Sequence, residues 1–258
     1  MYKDKKYRVR TQDEILEDIR ITAERYGDLE KVFLCDGDAI AMDTDALLEI
    51  IGTLYRSFPS LRHVGSYVGP QSTLSKSSEE LKELRGAGLT KAYIGVETGD
   101  DELLRKVKKG VGYDEMLLAG RNLISAGINV SAMVLLGLAG RGKVSEKHAL
   151  ATAKIVNEMK PQYLAALTVT PVPGTILHRQ VQQGEFELLD PFETLEEMKQ
   201  IFENITADNL KFVGTHVSNY LPITGTLQRD KEKMIKMVDA VLQSRDERLI
   251  RTDYMRGL

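Results

Sequence analysis

The sequence is poor in the residues that build metal clusters, disulfides and aromatic surfaces. It has one cysteine, Cys35, no tryptophan, and only 6% aromatic residues in 258 positions. One cysteine excludes an internal disulfide and cannot by itself hold a cysteine-ligated metal cluster. The scarcity of aromatic rings argues against a base-stacking surface for single-stranded nucleic acid.

Excess charge and long apolar runs are also missing. The formal net charge is −3, which gives no global attraction to nucleic acid or to an anionic membrane. The longest purely apolar stretch, Ala132–Leu136, is far too short to span a bilayer. The amino terminus is charged where a secretory signal would carry an apolar core. These absences predict a cytoplasmic protein with no membrane contact.

Helix and strand patterns alternate along the chain. Capping residues at Thr11, Asp43 and Ser77 predict three helix starts. Short apolar or alternating runs predict strands at Val32–Cys35, Arg62–Val68, Ala92–Val96, Ile128–Leu136, Tyr163–Val169 and Lys211–Val217. This order is typical of an α/β fold, with a parallel sheet covered by helices.

The beginning of the chain departs from this alternation. The sequence passes directly into a helix, and residues 1–10 are too basic for a buried strand. We therefore predict that the first strand of the series is missing. The exposed edge of the next strand would invite pairing with another chain or with a tail, so a homo-oligomer is one expected outcome.

Four of the predicted strands end in polar loops that contain glycine: Cys35–Asp38, Gly95–Gly99, Gly137–Gly140 and Thr170–Thr175. In parallel β/α barrels the chemistry lies at the carboxyl ends of the strands, and glycine lets backbone approach a ligand closely. The pattern predicts that the functional site is built from these loops.

The loop after the first predicted strand contains Asp36, Gly37 and Asp38. It could offer a flexible turn and two carboxylates to a ligand ammonium group, or it could form an ordinary turn.

The period-two alternation of Ile94 and Val96 predicts that Glu97 points into a barrel interior, where it is either a functional carboxylate or half of a structural ion pair. Gly137 permits close approach to a ring or phosphate, although its loop does not match the dinucleotide fingerprint and a simple turn is the alternative.

In chain order, these loops resemble the radical S-adenosylmethionine (SAM) superfamily, in particular its Elp3/HemN-like iron–sulfur oxidoreductases. The resemblance extends over nearly the whole chain, and its strongest segments are Tyr93–Asp100, Leu103–Gly110 and Val134–Gly140. Pro171–Thr175 also fits, and His216 with Ser218–Ile223 resembles the tail of that subgroup.

The resemblance implies a partial (β/α)6 TIM-like barrel, here a single domain over 1–258 with a C-terminal extension from about 206–258. It implies that a [4Fe-4S] cluster splits SAM reductively into methionine and a 5′-deoxyadenosyl radical, with electrons from a donor such as flavodoxin or ferredoxin. Asp36, Gly37 and Asp38 take the place of the Gly-Gly-Glu element that receives the methionine amino group. Glu97 corresponds to a residue at the ribose or methionine end of SAM, and Gly137 to backbone near adenine.

Two departures from the family pattern bear on function. Ala139 and Arg141 replace residues of the usual Gly-Leu-Pro-Gly-Glu form near adenine. The Cys-x3-Cys-x2-Cys triad that holds the cluster is missing, and residues 1–6 resemble the stretch just after it. We therefore expect a truncated radical SAM barrel that is inactive as it stands and whose substrate the sequence does not identify. The alternatives are a cluster-free SAM- or nucleotide-binding scaffold and, ranked last, an aldolase-like enzyme with Glu97 as base.

Overall fold

The computed structural model describes residues 10–35 and 37–256. The described strands are β1 Lys31–Leu34, β2 His63–Val68, β3 Leu89–Glu97, β4 Asn129–Leu136, β5 Tyr163–Thr168, β6 Lys211–Val213 and β7 Thr224–Thr226. The described helices are α1 Gln12–Tyr26, α2 Thr44–Ser57, α3 Pro70–Leu74, α4 Ser78–Ala87, α5 Asp101–Lys106, α6 Tyr113–Ser125, α7 Lys143–Met159, α8 Ile176–Gln182, α9 Pro191–Asn204 and α10 Leu227–Ser244.

The sequence-based helix starts are confirmed, because each capping side chain makes its expected bond. Thr11 and Glu14 form a capping box at α1, as do Ser77 and Glu80 at α4. Asp43 accepts hydrogen bonds from the first turn of α2. A third capping box, of Asp190 and Glu193, begins α9. Satisfying these free backbone donors fixes where each helix begins.

The predicted α/β class with a mainly parallel sheet is confirmed. The seven strands are ordered β1 to β7, and the β1–β2, β2–β3 and β5–β6 pairs are parallel. The last strand, β7, is antiparallel to β6 and was not predicted. It follows a short loop rather than a crossover helix, and such a connection can reverse the direction of the chain.

The chain forms two compact units. The first contains the described residues up to Gly95 together with Leu118–Ser131. On β2 and β3, Val64, Ala92 and Ile94 are buried. The apolar run Val32–Cys35 is typical of a buried strand, but β1 is not buried, because its residues alternate between exposed and half-buried. Its Phe33 packs edge to face on Tyr67 and Tyr93, with ring centroids 4.8 and 5.2 Å away.

The second unit contains Val96–Leu117 and the described residues from Ala132 onward. Helix α9 packs between α7 and α10, and Phe202 of α9 meets Phe212 of β6 edge to face at 4.7 Å. Both rings are fully buried. Within the described residues, no helix is long and apolar enough to cross a membrane. A single domain with an extension from about 206–258 stays a prediction.

Candidate functional site

The loop after β1 presents a half-buried carboxylate. Asp36 lies outside the described residues, and Gly37 is exposed with a φ of 139°, a conformation that favours glycine. Asp38 is half-buried, and its Oδ2 accepts a hydrogen bond from the Ser72 hydroxyl. Its Oδ1 is buried without a hydrogen-bond partner in the described part of the chain. A buried carboxylate oxygen in this state has spare capacity to accept a bond from a ligand.

The backbone of Gly69 approaches the Asp38 side chain closely. A Cβ on Gly69 would lie 2.3 Å from Asp38 Oδ2, well inside the contact distance. Gly69 begins the short helix α3, whose Ser72 binds the same oxygen. The side chain of Asp38 does not cap the 3-10 helix Ala39–Ala41 that follows it. Its orientation is therefore set by α3 rather than by a local turn.

Glu97 ends β3 with an unusual backbone. Its φ is 63°, a left-handed conformation that a non-glycine residue adopts at a cost. The side chains of Ile94, Val96 and Thr98 are buried, so Glu97 lies on the opposite face of the strand from them. That this face is a barrel interior stays a prediction. Glu97 is 22% exposed, and its Oε1 lies 2.8 Å from Lys109 Nζ. This contact is the structural ion pair that the sequence left open as one reading.

A buried hydrogen-bond chain begins just after Glu97. The amide of Asp100 donates to the Thr98 hydroxyl oxygen at 3.0 Å, and that oxygen lies 2.8 Å from His148 Nδ1. His148 Nε2 is 3.1 Å from the carbonyl oxygen of Leu135. Because a carbonyl only accepts, Nε2 carries the proton and Nδ1 accepts from Thr98. The side chain of His148, on α7, thus ties the end of β3 to the end of β4.

The loop after β4 is held by a buried acid from a distant helix. The amide of Gly137 donates to Glu197 Oε1 at 2.7 Å, and the Ser145 hydroxyl donates to Glu197 Oε2. Glu197 lies on α9 and is 1% exposed. The carbonyl of Gly137 accepts from the Gly140 amide at 3.2 Å, so both backbone groups of Gly137 are engaged within the protein.

Burial sets the charge state of this cluster. Glu197 Oε1 lies 3.6 Å from His148 Nε2, a distance at which two ionised groups would form an ion pair. Burial lowers the pKa of His148 to about 4. Burial likewise raises the pKa of Glu197 to about 7, although the bonds from Ser145 and Gly137 oppose this shift. His148 is consequently neutral at pH 7, and Glu197 changes its charge near that pH.

A cavity of about 270 Å³ lies beside this loop. Gly137 forms part of its wall, and Thr170 and Pro171, from the loop after β5, form another part. The loops after β4 and β5 thus line the same cavity. A Cβ on Gly137 would lie 3.3 Å from Val169 Cγ1, and its φ is 77°. Glycine is required there by the backbone conformation and favoured by the space.

Two features of these loops were missed in the sequence. Ser72, the partner of Asp38, lies on the short helix α3, which was not predicted, although Pro70 at its first position is a known start signal. Glu197 falls on the apolar face of α9, with Met198 and Ile201. A carboxylate on an apolar helical face is the signal that could have identified it.

The described residues do not assemble a metal centre. No group of three or more His, Cys, Asp or Glu side chains in that part of the chain could hold a metal ion. Cys35 is exposed, and its Sγ lies 3.7 Å from the Phe33 carbonyl oxygen. The candidate site of this chain is thus made of carboxylates, hydroxyls and glycine backbone.

Comparisons with known proteins give a consistent result. The model of the Radical SAM superfamily matches residues 1–154. The heme chaperone HemW of Bacillus subtilis (strain 168) is 22% identical over 175 residues, which are 67% of this chain and 45% of HemW.

Solved structures with a similar fold include archaeal Elp3 of Methanocaldococcus infernus with an N-terminal deletion. Its TM-score is 0.60 at 13% identity, covering 91% of this chain and 59% of that one. The oxidase HemN of Escherichia coli, described as a radical SAM enzyme, gives 0.59 at 16% identity, covering 77% and 47%. The chain therefore spans about half the length of these relatives.

Proposed function

Because the chain belongs to the radical SAM superfamily, we propose that it is the SAM-binding barrel of an enzyme of that superfamily. The residues of these loops do not identify the substrate or the product of the reaction. Reductive cleavage of SAM, with electrons from a donor such as flavodoxin or ferredoxin, is the activity proposed for the whole protein.

The observation that carries this proposal is the state of Asp38. Oδ2 is held by Ser72, while Oδ1 is buried and has no partner in the described residues. A buried carboxylate with an unused acceptor is suited to a cationic donor. The amino group of the methionine end of SAM is such a donor. Asp38 is proposed to bind it, with Asp36 and Gly37 completing the same element.

Gly137 is proposed to lie against the adenine. Both of its backbone hydrogen-bonding groups are engaged by Glu197 and Gly140, so it would offer the ring a close, flat contact rather than a hydrogen bond. Glu97 is proposed to face the ribose or methionine end of SAM. Its carboxylate is held by Lys109 and still 22% exposed, which leaves it accessible to a ligand.

The residues of this chain do not fit a [4Fe-4S] cluster. The superfamily cluster takes three cysteine thiolates, whereas these 258 residues contain Cys35 alone. No group of metal-binding side chains among the described residues substitutes for them. We therefore assign SAM binding to this chain and derive no step through a cluster.

Calorimetric titration of the chain with SAM tests the proposal. We expect saturable binding to the wild type and at least about tenfold weaker binding to Asp38→Asn, because hydrogen bonds to charged groups contribute about 1.5–3 kcal/mol. Asp45→Asn is the matched control, since Asp45 is exposed on α2 and the substitution changes the net charge equally. Equal affinity of the two variants, or no heat from the wild type, would refute the assignment.

A second candidate function is a cluster-free SAM- or nucleotide-binding protein. The single, exposed cysteine favours it. The two functions separate on the native gene product, where intact mass and amino-terminal sequencing would reveal a Cys-x3-Cys-x2-Cys peptide only in the first case. Anaerobic reconstitution with iron and sulfide, followed by iron analysis, gives the independent answer.

A further inference from the structure

Glu197 occupies a position where a charged group is costly. Its side chain is fully buried on α9, a helix that otherwise turns apolar residues such as Met198, Ile201 and Phe202 inward. A buried carboxyl group is tolerated when its oxygens receive hydrogen bonds. Here both oxygens receive one, and one of the donors is the backbone of the loop after β4.

The loop bound by Glu197 has a conformation that needs support. Gly137 and Gly140 both have positive φ, at 77° and 81°. The turn between them is closed by one backbone bond of 3.2 Å. The amide of Gly137 would have no acceptor within that turn, and Glu197 supplies it at 2.7 Å. The carboxyl group thus fixes the point where the strand ends and the cavity wall begins.

The same carboxyl group is itself fixed from two sides. The Ser145 hydroxyl, on the first turn of α7, donates to its second oxygen. His148, one turn further along α7, lies 3.6 Å from the first oxygen and is locked by Thr98 and the Leu135 carbonyl. Such second contacts hold a positioning group within the narrow range that ligand binding requires.

We propose that Glu197 is a positioning residue, which holds Gly137 and so sets the shape of the cavity wall that the ligand meets. It does not touch the ligand itself, because both oxygens are used within the protein. This inference rests on the proposed function in one respect: the ligand at Gly137 is taken to be the adenosyl part of SAM.

The test compares Glu197→Ala with Glu197→Gln by calorimetric titration with SAM. A glutamine can accept a hydrogen bond from Gly137 through its side-chain carbonyl and donate one to Ser145 through its amide. It therefore keeps both hydrogen bonds without the negative charge. We expect binding to weaken at least tenfold in the alanine variant and to stay within about threefold in the glutamine variant. Phe202→Leu is the control, a fully buried position five residues further along the same helix, whose ring packs against Phe212.

Hydrogen exchange at the Gly137 amide gives a readout that does not depend on SAM. Relative to the Phe202→Leu control, we expect exchange at this amide to be at least tenfold faster in Glu197→Ala and nearly unchanged in Glu197→Gln. If Glu197→Ala does not fold, Ser145→Ala replaces it and should give a smaller change in the same direction.

The outcomes separate the inference from the proposed function. If the wild type binds no SAM, the proposed function fails, and the exchange rates alone decide whether Glu197 holds the loop. Unchanged exchange in Glu197→Ala overturns the inference, as does wild-type SAM affinity in that variant. Equal weakening of SAM binding in the alanine and glutamine variants also overturns it, because the negative charge of Glu197, rather than its hydrogen bond to Gly137, would then determine the affinity.

Discussion

The loops after β3 and β4 each depend on a glutamate, but the two glutamates are held in opposite ways. Glu97 is the last residue of β3, directly before the loop; its side chain is 22% exposed and forms an ion pair with Lys109. Glu197 comes from a helix 60 residues after the loop it binds and is fully buried. A carboxylate that the sequence places at the end of a strand is therefore not necessarily the one that fixes the conformation of a neighbouring loop.

The largest expected effect comes from backbone packing in the loop after β3. A Cβ on Gly99 would lie 2.0 Å from the Ala151 carbonyl oxygen, a backbone atom that cannot move aside easily. We expect Gly99→Ala to destabilise the protein by about 3 kcal/mol or more, measured by urea denaturation. In Gly86→Ala, the control on α4, the added Cβ meets nothing within 4 Å. A stability loss no larger than that of the control would contradict the close packing of this loop.

Removal of the acid that holds the loop after β4 is the next largest effect. Glu197→Ala leaves the Gly137 amide and the Ser145 hydroxyl without their acceptor and opens a small cavity. We expect a loss of about 2–3 kcal/mol at pH 6 in urea denaturation. Glu196→Ala, an exposed neighbour on the same helix, should lose less than about 0.5 kcal/mol. Similar losses in both variants would mean that the buried bonds contribute nothing.

The charge of Glu197 gives a pH-dependent test. Its pKa is raised from 4.5 to about 7, so the folded protein holds the proton more tightly than the unfolded chain. Its contribution to stability is therefore full below about pH 4.5 and is lost as the pH rises to about 7. Each pKa unit is worth about 1.4 kcal/mol, so Glu197→Gln should gain on the order of 2 kcal/mol relative to wild type between pH 5 and pH 8.

Thermal denaturation of both proteins across this range measures that gain. His148 titrates in the opposite sense, because its pKa is lowered to about 4. It is present in both proteins, so the difference between them isolates Glu197. A constant difference between the two denaturation curves from pH 5 to pH 8 is the result that contradicts a buried, titrating carboxyl group.

The smallest effect should come from Glu97. Its bond to Lys109 is partly exposed, so Glu97→Gln should cost less than about 1 kcal/mol at low salt and less still at high salt. A double-mutant cycle with Lys109→Met measures the coupling between the two side chains. A coupling as large as the loss from Glu197→Ala would remove the contrast between the two loops.

The sequence predicted most elements because their signals are local. The capping pairs at Thr11 and Ser77 lie within one helical turn, and the apolar or alternating patterns of β2 to β5 lie within single short segments. The sequence failed where the determining contact is long-range. Nothing near Gly137 indicates that its acceptor is Glu197, and nothing near Asp38 indicates that Ser72 and Gly69 confine it. The alternation of β3 gave no guide to Glu97, because this residue is out of phase with the buried Ile94, Val96 and Thr98.

A crystal structure of the chain grown with SAM would show directly whether Asp38 binds the amino group of SAM. We expect the amino nitrogen of the methionine end of SAM to lie within hydrogen-bond distance of Asp38 Oδ1. SAM bound elsewhere, with no bond from its amino group to Asp38 Oδ1, would contradict the role proposed for Asp38.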